Sequence, residues 1–481
     1  MDNASKRGLS TFHLTMLALG TVVGGSFFLG SGVAIRAAGP GVVVSFLLGG
    51  VLIYVVLYAL SEMTVADPAA GSFRMYAQRS FGPGAGFVTG WVYWTGLIFA
   101  MSSESIAAST FIREWFPQIS VAVLGVVIII AVTSLNLLGA KLLSKLESGL
   151  AVLKLLAIVG FIVLGLWIIA GFLPNTPAVG FGELRNEPLM PGGITGIAGS
   201  MLIVIFTYAG FEVIGLAASE ARNPKKTIPR AINFTLISLV GLYVAAVLIL
   251  LPLYPTQQMA EGQSPIVLAL SRWGIMWASS IMNIVMIIAI LSTMLAATFG
   301  LGRMIRSLAA DGHTPSWLKD KHDIPYRGIL FSGAAMLGGL GFGLILPQQV
   351  YLFLISSGGF ALLFSYLIIM ASHYKWRKNT PCSPTAGCQL PGYPYSSWFA
   401  MIAMVGIIAS MPFIPGQAAG LIAGLVLVAA FIGMYVVKKM IGKRKRTSED
   451  KRTIADANLS QWQMEAAEEH DMRDVDTGSE R

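Results

Sequence analysis

Charge is what this sequence most lacks. Only 12% of its 481 residues are Asp, Glu, Lys or Arg, about half the share usual in a water-soluble domain, while 55% are hydrophobic. Such a chain cannot cover itself with a water-facing surface. Two cysteines and five histidines are too few for a disulfide-stapled secreted domain or a Cys/His metal array. Cys382 and Cys388 match no zinc spacing and read as free thiols. His13, His313, His322, His373 and His470 all fall outside the apolar runs, and the chain has no His-Glu-x-x-His or Gly-x-Ser-x-Gly sequence. A membrane-embedded enzyme is disfavoured for want of a metal site or nucleophile. No ATP-binding motif is present either, and no cofactor is implied.

What is present is apolar length. A bilayer crossing takes about 20 apolar helical residues, and twelve such runs are predicted: 14–36, 41–64, 84–111, 119–138, 148–171, 193–218, 231–253, 275–302, 328–346, 350–372, 397–414 and 418–437. The first is too long and too interrupted by glycine for a simple signal peptide. With the N-terminus inside, the inner loops hold eighteen Lys and Arg, from Lys6 to Lys378, against four outside, namely Arg36, Arg113, Arg185 and Arg272. That asymmetry predicts that both termini are cytoplasmic. The net charge of +9 is then a topology signal and no footprint for nucleic acid. Eight basic residues between 438 and 452 would face anionic lipid head groups, and the acidic stretch 453–481 reads as a solubilising tail.

Inside the spans, clustered glycines stand out because unwound backbone in a bilayer is tolerated only beside a cavity. Span one holds Gly20, Gly24, Gly25, Gly30 and Gly32, and span six holds Phe206-Thr207-Tyr208-Ala209-Gly210-Phe211-Glu212. Close helix packing through Gly20-x-x-x-Gly24 would explain the first cluster alone. Two interrupted helices, five spans apart, point instead to a transporter built from inverted repeats. The predicted fold is an all-α integral membrane protein with an inverted 5+5 repeat, broken first and sixth helices, and two extra C-terminal helices. Its parts are a cytoplasmic N-terminus (1–13), a first repeat (14–171), an outer loop (172–192), a second repeat (193–372), an inner loop (373–396), helices eleven and twelve (397–437) and the cytoplasmic tail (438–481). A broken helix offers free N–H groups to a carboxylate and free carbonyls to an ammonium, so two breaks together suit an α-amino acid. The expected contacts are the amides of Gly24, Gly25 and Ser26 for the carboxylate. The carbonyls of Val22, Phe206 and Ala209 would take the ammonium, with Gly210 completing the second break. Phe206 is placed to cover the bound molecule, although an aromatic in a helix is more often plain packing.

Six stretches, in order, carry a resemblance to a known family: Gly24–Gly32; Ala70-Gly71-Ser72-Phe73 with Tyr76 and Phe81-Gly82-Pro83-Gly84; Gly90-Trp91-Val92-Tyr93-Trp94 leading to Glu104; Asn136–Lys141; Gly210-Phe211-Glu212 through Glu220–Pro224 to Ile232; and Arg303 through Asp311–Pro315. The chain resembles an amino-acid permease of the amino acid-polyamine-organocation superfamily, in its bacterial amino-acid transporter branch. The family's usual Gly-x-Gly in the first break is here Gly24-Gly25-Ser26, which leaves substrate size open. Charges within spans are costly and functionally suspect; the candidates are Glu104, Lys154 and Glu212. The resemblance implies a coupling role for Lys154, where sodium-coupled relatives bind a cation, and a protonation role for Glu212, with Glu104 also matching the family pattern. A snorkelling Lys154 and a structural Glu212 are the plainer alternatives. Trp91, Tyr93 and Trp94 read as interface anchors. The expected activity is proton-driven import of an amino acid, most simply a neutral one, by a monomer or weak oligomer in the cell membrane. An exchanger and a sensor signalling through the tail remain the rivals, and a channel lacks its ring of like residues.

Overall fold

The computed structural model describes residues 10–67, 73–172, 177–212, 221–259, 263–320, 324–345, 350–379 and 390–441. Lys6, Arg7, the Ala70-Gly71-Ser72 stretch, the end of the sixth predicted span after Glu212, Glu220, Cys382, Cys388 and the tail beyond Ile441 lie outside them. Among the described residues every regular element is helical. The chain divides into two compact units, Met1–Leu427 and Val428–Arg481.

The first span is three helices in line: α1 (Thr11–Val22), α2 (Gly25–Phe28) and α3 (Gly30–Ala38). Ser10 starts α1 by accepting the His13 amide on its side chain at 3.3 Å. Val23 and Gly24 leave helical geometry for extended backbone, and that is the break. Then follow α4 (Val42–Ala66), the short α5 (Phe73–Phe81), α6 (Pro83–Ile112), α7 (Val121–Asn136) and α8 (Ala140–Ala170). The sixth span opens with α9 (Gly193–Thr207), which gives way to a turn through Glu212. The remainder is α10 (Pro224–Leu253), the short α11 (Pro265–Arg272), α12 (Met276–Ala310), α13 (Tyr326–Ile345), α14 (Val350–Asn379) and α15 (Tyr395–Ser410). The last helix, α16, runs from Ala418 to Ile441. Among the described residues eight of the helical stretches are long and apolar enough to cross a membrane, and α1, α7 and α9 are shorter apolar helices.

Packing sorts the helices into two groups. α1, α3, α4, α9 and α10 pack on one another, while α6, α7, α12 and α13 form the second group. α8 touches α1, α10 and α12, and α14 touches α4, α6 and α9, so the fifth and tenth spans play the same bridging part. This equivalence is what a 5+5 repeat requires. Several helices overrun their apolar stretches, with α12 extending to Ala310 and α14 to Asn379. His373, expected in a loop, therefore lies inside α14 and is fully buried.

Burial is inverted relative to a water-soluble protein. Ile402 in α15 and Ile422 in α16 are more than 60% exposed, as helices facing hydrocarbon should be. Inside, hydroxyls and amides pair across helices: Ser200 with Ser45 at 2.6 Å, Ser102 donating to the Met336 carbonyl at 3.0 Å, and Gln417 to that of Gly199 at 2.8 Å. Trp91 and Trp94 are buried, and their indole N–H groups donate to His313 O and Ser332 Oγ. The aromatic run at the start of α6 is thus internal packing and no lipid anchor, because α6 is enclosed by α12, α13 and α14.

Behind the two breaks sits an aromatic cluster of Phe27, Phe46, Tyr208 and Tyr243. Phe27 and Tyr243 stack at 3.9 Å with planes 5° apart, and the Tyr208 hydroxyl donates to Phe46 O at 3.1 Å. Residues of α2, α4, the end of α9 and α10 meet there, which ties both breaks into one body. Tyr243→Ala should cost about 3 kcal/mol and lower the melting temperature of the purified protein in detergent. Phe172→Ala, at a side chain 76% exposed, should leave it unchanged.

Candidate functional site

The two breaks touch. Gly210 has φ +107°, a conformation only glycine adopts without strain, and a Cβ there would also meet the Thr21 carbonyl oxygen at 2.8 Å. The Thr21 hydroxyl reaches Gly210 O at 3.1 Å. A cavity of about 720 Å³ opens beside this contact. Of the residues singled out in the sequence it gathers Val22, Ser26, Glu104, Phe206, Ala209, Gly210 and Glu212. Gly24, Gly25 and Lys154 stand behind its wall.

The first break is closed by side chains from three other helices. Glu104, buried in α6, accepts the Gly25 amide on Oε2 and the Ser26 amide on Oε1, both at 2.9 Å. These are two of the amides expected to receive a ligand carboxylate, and an internal carboxylate already occupies them. Gly25 must be glycine for this, since a Cβ would fall on Glu104 Oε2 and within 2.8 Å of Ile290. Lys154, buried in α8, donates from Nζ to Gly20 O at 2.5 Å and approaches Thr293 Oγ1 at 3.4 Å. The Thr293 hydroxyl lies 3.2 Å from Val23 O and 3.0 Å from Ala289 O. Among the described residues no backbone N–H donates to the carbonyls of Thr21 or Val22, which line the cavity. The Phe206 carbonyl, by contrast, already accepts the Ala209 amide at 3.1 Å.

The second break keeps its carboxylate close. Glu212 Oε2 accepts the Gly210 amide at 2.8 Å, and Oε1 lies 3.4 Å from the Tyr93 hydroxyl and 3.3 Å from that of Tyr366. All three side chains are buried. Thr293 and Tyr366 did not stand out in the sequence, and Tyr93 reads there only as an interface anchor. A hydroxyl on an apolar helix has no pattern of its own, and only its distance from a break marks it.

Away from the breaks the cavity wall is Leu97, Ala100, Met101, Ala296 and Ala297, and its far end carries Arg74, Arg303, Arg306 and Asp311. Arg74, 1% exposed, pairs with Asp311 at 3.0 Å and donates to Ser307 Oγ at 2.8 Å. Burial pulls its guanidinium below the ordinary range, and Asp311 opposes that pull. Among the described residues no group of three or more His, Cys, Asp or Glu could hold a metal ion.

A family model described as amino acid permease matches residues 13–451. The chain belongs to the amino acid permease family. This permease is 34% identical over 413 residues to the amino acid permease YvbW of Bacillus subtilis, covering 85% of its own length and 92% of the relative's. It is 30% identical to the gamma-aminobutyric acid permease of the same organism, covering 92% and 95%. It is also 30% identical to the aromatic amino acid transport protein AroP of Escherichia coli O6:H1, covering 86% and 91%. Among solved structures, a mutant of the Eremococcus coleocola manganese transporter shares the fold, with TM-score 0.55, 13% identity and coverage of 90% and 95%. The permease is thus a multi-pass membrane protein whose relatives are transporters and not enzymes. Gly25→Ala in this permease should displace Glu104 and reduce amino-acid uptake by roughly tenfold or more, the effect of about 1.4 kcal/mol of misplacement. Uptake normalised to protein in the membrane checks this.

Proposed function

We propose that this permease imports an amino acid with a neutral side chain across the cell membrane by proton symport, alternating the access of one central site. The observation that carries the reading is Lys154 Nζ on the Gly20 carbonyl, 2.5 Å away at the base of the first break. A protonated Lys154 holds the end of α1 by a charge-assisted bond, and a neutral one releases it. Proton occupancy and the shape of the break are then linked. Glu104 adds a second link. While ionised it fills the Gly25 and Ser26 amides, and once protonated it holds them less well, so an incoming carboxylate takes its place. The ammonium goes to the carbonyls of Thr21 and Val22, and Phe206 covers the bound molecule from the second break. Glu212 exchanges a proton at that break, where the Gly210 amide and two tyrosine hydroxyls steady its ionised form.

A neutral side chain is favoured because the wall around Leu97, Ala100, Met101, Ala296 and Ala297 is apolar, and both nearby carboxylates already hold backbone amides. The relatives named for gamma-aminobutyric acid and for aromatic amino acids are consistent with a substrate of no net side-chain charge. Both termini and the basic end of the cavity, with Arg74, Arg303 and Arg306, are cytoplasmic on the charge rule. On that orientation the cavity opens inward. The seven segments divided at residues 13, 171, 192, 372, 396 and 437 are the working domain scheme, with α14 carrying the second repeat on to Asn379 and α16 the last helix on to Ile441.

Proteoliposomes offered a panel of labelled amino acids with an inward proton gradient, a sodium gradient or neither test the class. Accumulation with protons alone is the expected outcome, and sodium-only uptake would remove the role given to Lys154. Lys154→Ala should retain substrate binding but lose accumulation driven by the pH gradient. Undiminished uphill uptake by that variant would refute the coupling role.

A further inference from the structure

A third buried carboxylate lies outside the cavity. Glu62, in the last turns of α4, is 2% exposed, and three donors among the described residues hold its Oε2. They are His373 Nε2 of α14 at 2.8 Å, Arg377 NH1 of the same helix at 3.3 Å, and the Leu390 amide, ahead of α15, at 3.2 Å. His373 is fully buried. The Arg377 guanidinium lies over the Tyr393 ring at 4.3 Å, and that ring meets His373 edge-on at 5.9 Å. Among the described residues the titratable and charged groups at the cluster are Glu62 from α4, His373, Tyr374 and Arg377 from α14, and Tyr393 from the segment before α15.

Taking these charges out of water is costly, and an apolar cluster of similar volume would join α4 to α14 at least as well. What the charged cluster adds is direction. Three donors on one oxygen fix the rotation and axial position of α14 in a way that apolar contacts do not. That position matters because Tyr366 precedes His373 by seven residues. Two helical turns, roughly 10.5 Å, separate them on the same face. Tyr366 spends its hydroxyl on Glu212 Oε1 at 3.3 Å, and its ring packs on Phe211 at 5.1 Å. At 3.3 Å an O–H···O bond is near the end of its useful range, so a shift of a few tenths of an ångström in α14 breaks it. The other hydroxyl on Glu212, from Tyr93, belongs to α6 and would not follow. One face of α14 thus carries a contact to each of two buried carboxylates.

We propose that Glu62, His373 and Arg377 form a latch that sets the register of α14 and so holds the Tyr366 hydroxyl on Glu212. All three are positioning residues. The inference rests on the reading of Glu212 as a proton-exchanging group. Its test is the pH profile of proton-driven uptake in proteoliposomes carrying the full chain. The variants are Tyr366→Phe, His373→Gln, Arg377→Gln, the double variant Tyr366→Phe/His373→Gln, and Glu212→Gln. Tyr366→Phe removes a donor to the ionised carboxylate, so the midpoint of the profile should move to higher pH by about half a unit or more. His373→Gln, and the milder and partly exposed Arg377→Gln, should move it the same way. The double variant should move it no further than Tyr366→Phe alone. Should both latch variants keep the wild-type profile while Tyr366→Phe shifts it, the latch is wrong; additive shifts in the double variant refute it equally. Glu212→Gln is read separately: intact gradient-driven uptake with an unchanged profile would overturn the role of Glu212 itself.

Discussion

A helix interrupted within a bilayer has no water to satisfy its backbone, and everything around the first span follows from how that debt is met. α1 ends with carbonyls that no following amide can reach, and α2 begins with amides that no preceding carbonyl can reach. Glu104 of α6 takes the amides, Lys154 of α8 takes the Gly20 carbonyl, and Thr293 of α12 stands beside that of Val23. Three helices are thereby fixed around one break.

The second break is built on the same logic with different parts. Its carboxylate comes from its own chain two residues on, and its support from tyrosines on α6 and α14. Both groups of helices therefore contribute to each break. The contact between Thr21 and Gly210 joins the breaks directly, and the stack of Phe27 on Tyr243 stiffens the body that carries them. A movement of that body against α6 and α8 would disturb hydrogen bonds at Glu104, Lys154 and Glu212 together.

Much of this was legible in the residues. The glycine clusters placed the breaks, the span lengths placed most of the helices, and the scarcity of charge within spans singled out Glu104, Lys154 and Glu212. What stayed hidden was pairing over distance. Glu104 lies 79 residues beyond Gly25, and nothing local says that its carboxylate, rather than a ligand's, fills that amide. Tyr93 sits among aromatics that suit a membrane interface equally well, and only the enclosure of α6 places it inside. His373 was assigned to a loop because the apolar run stops near it, yet α14 continues, since Glu62 satisfies the polar group that would otherwise end the span.

The outward isoleucines of α15 and α16 and the inward hydroxyls of Ser45, Ser102 and Ser200 carry a thermodynamic consequence. In a water-soluble protein, unfolding wets hydrocarbon and raises the heat capacity, which bends the stability curve into a dome. Separating these helices within lipid would wet almost nothing. It would instead strand serine, threonine and glutamine groups in an oily solvent. Stability inside the bilayer should then vary gently with temperature and show no cold-weakened limb, with its limits set by the enthalpy of a small number of buried polar contacts.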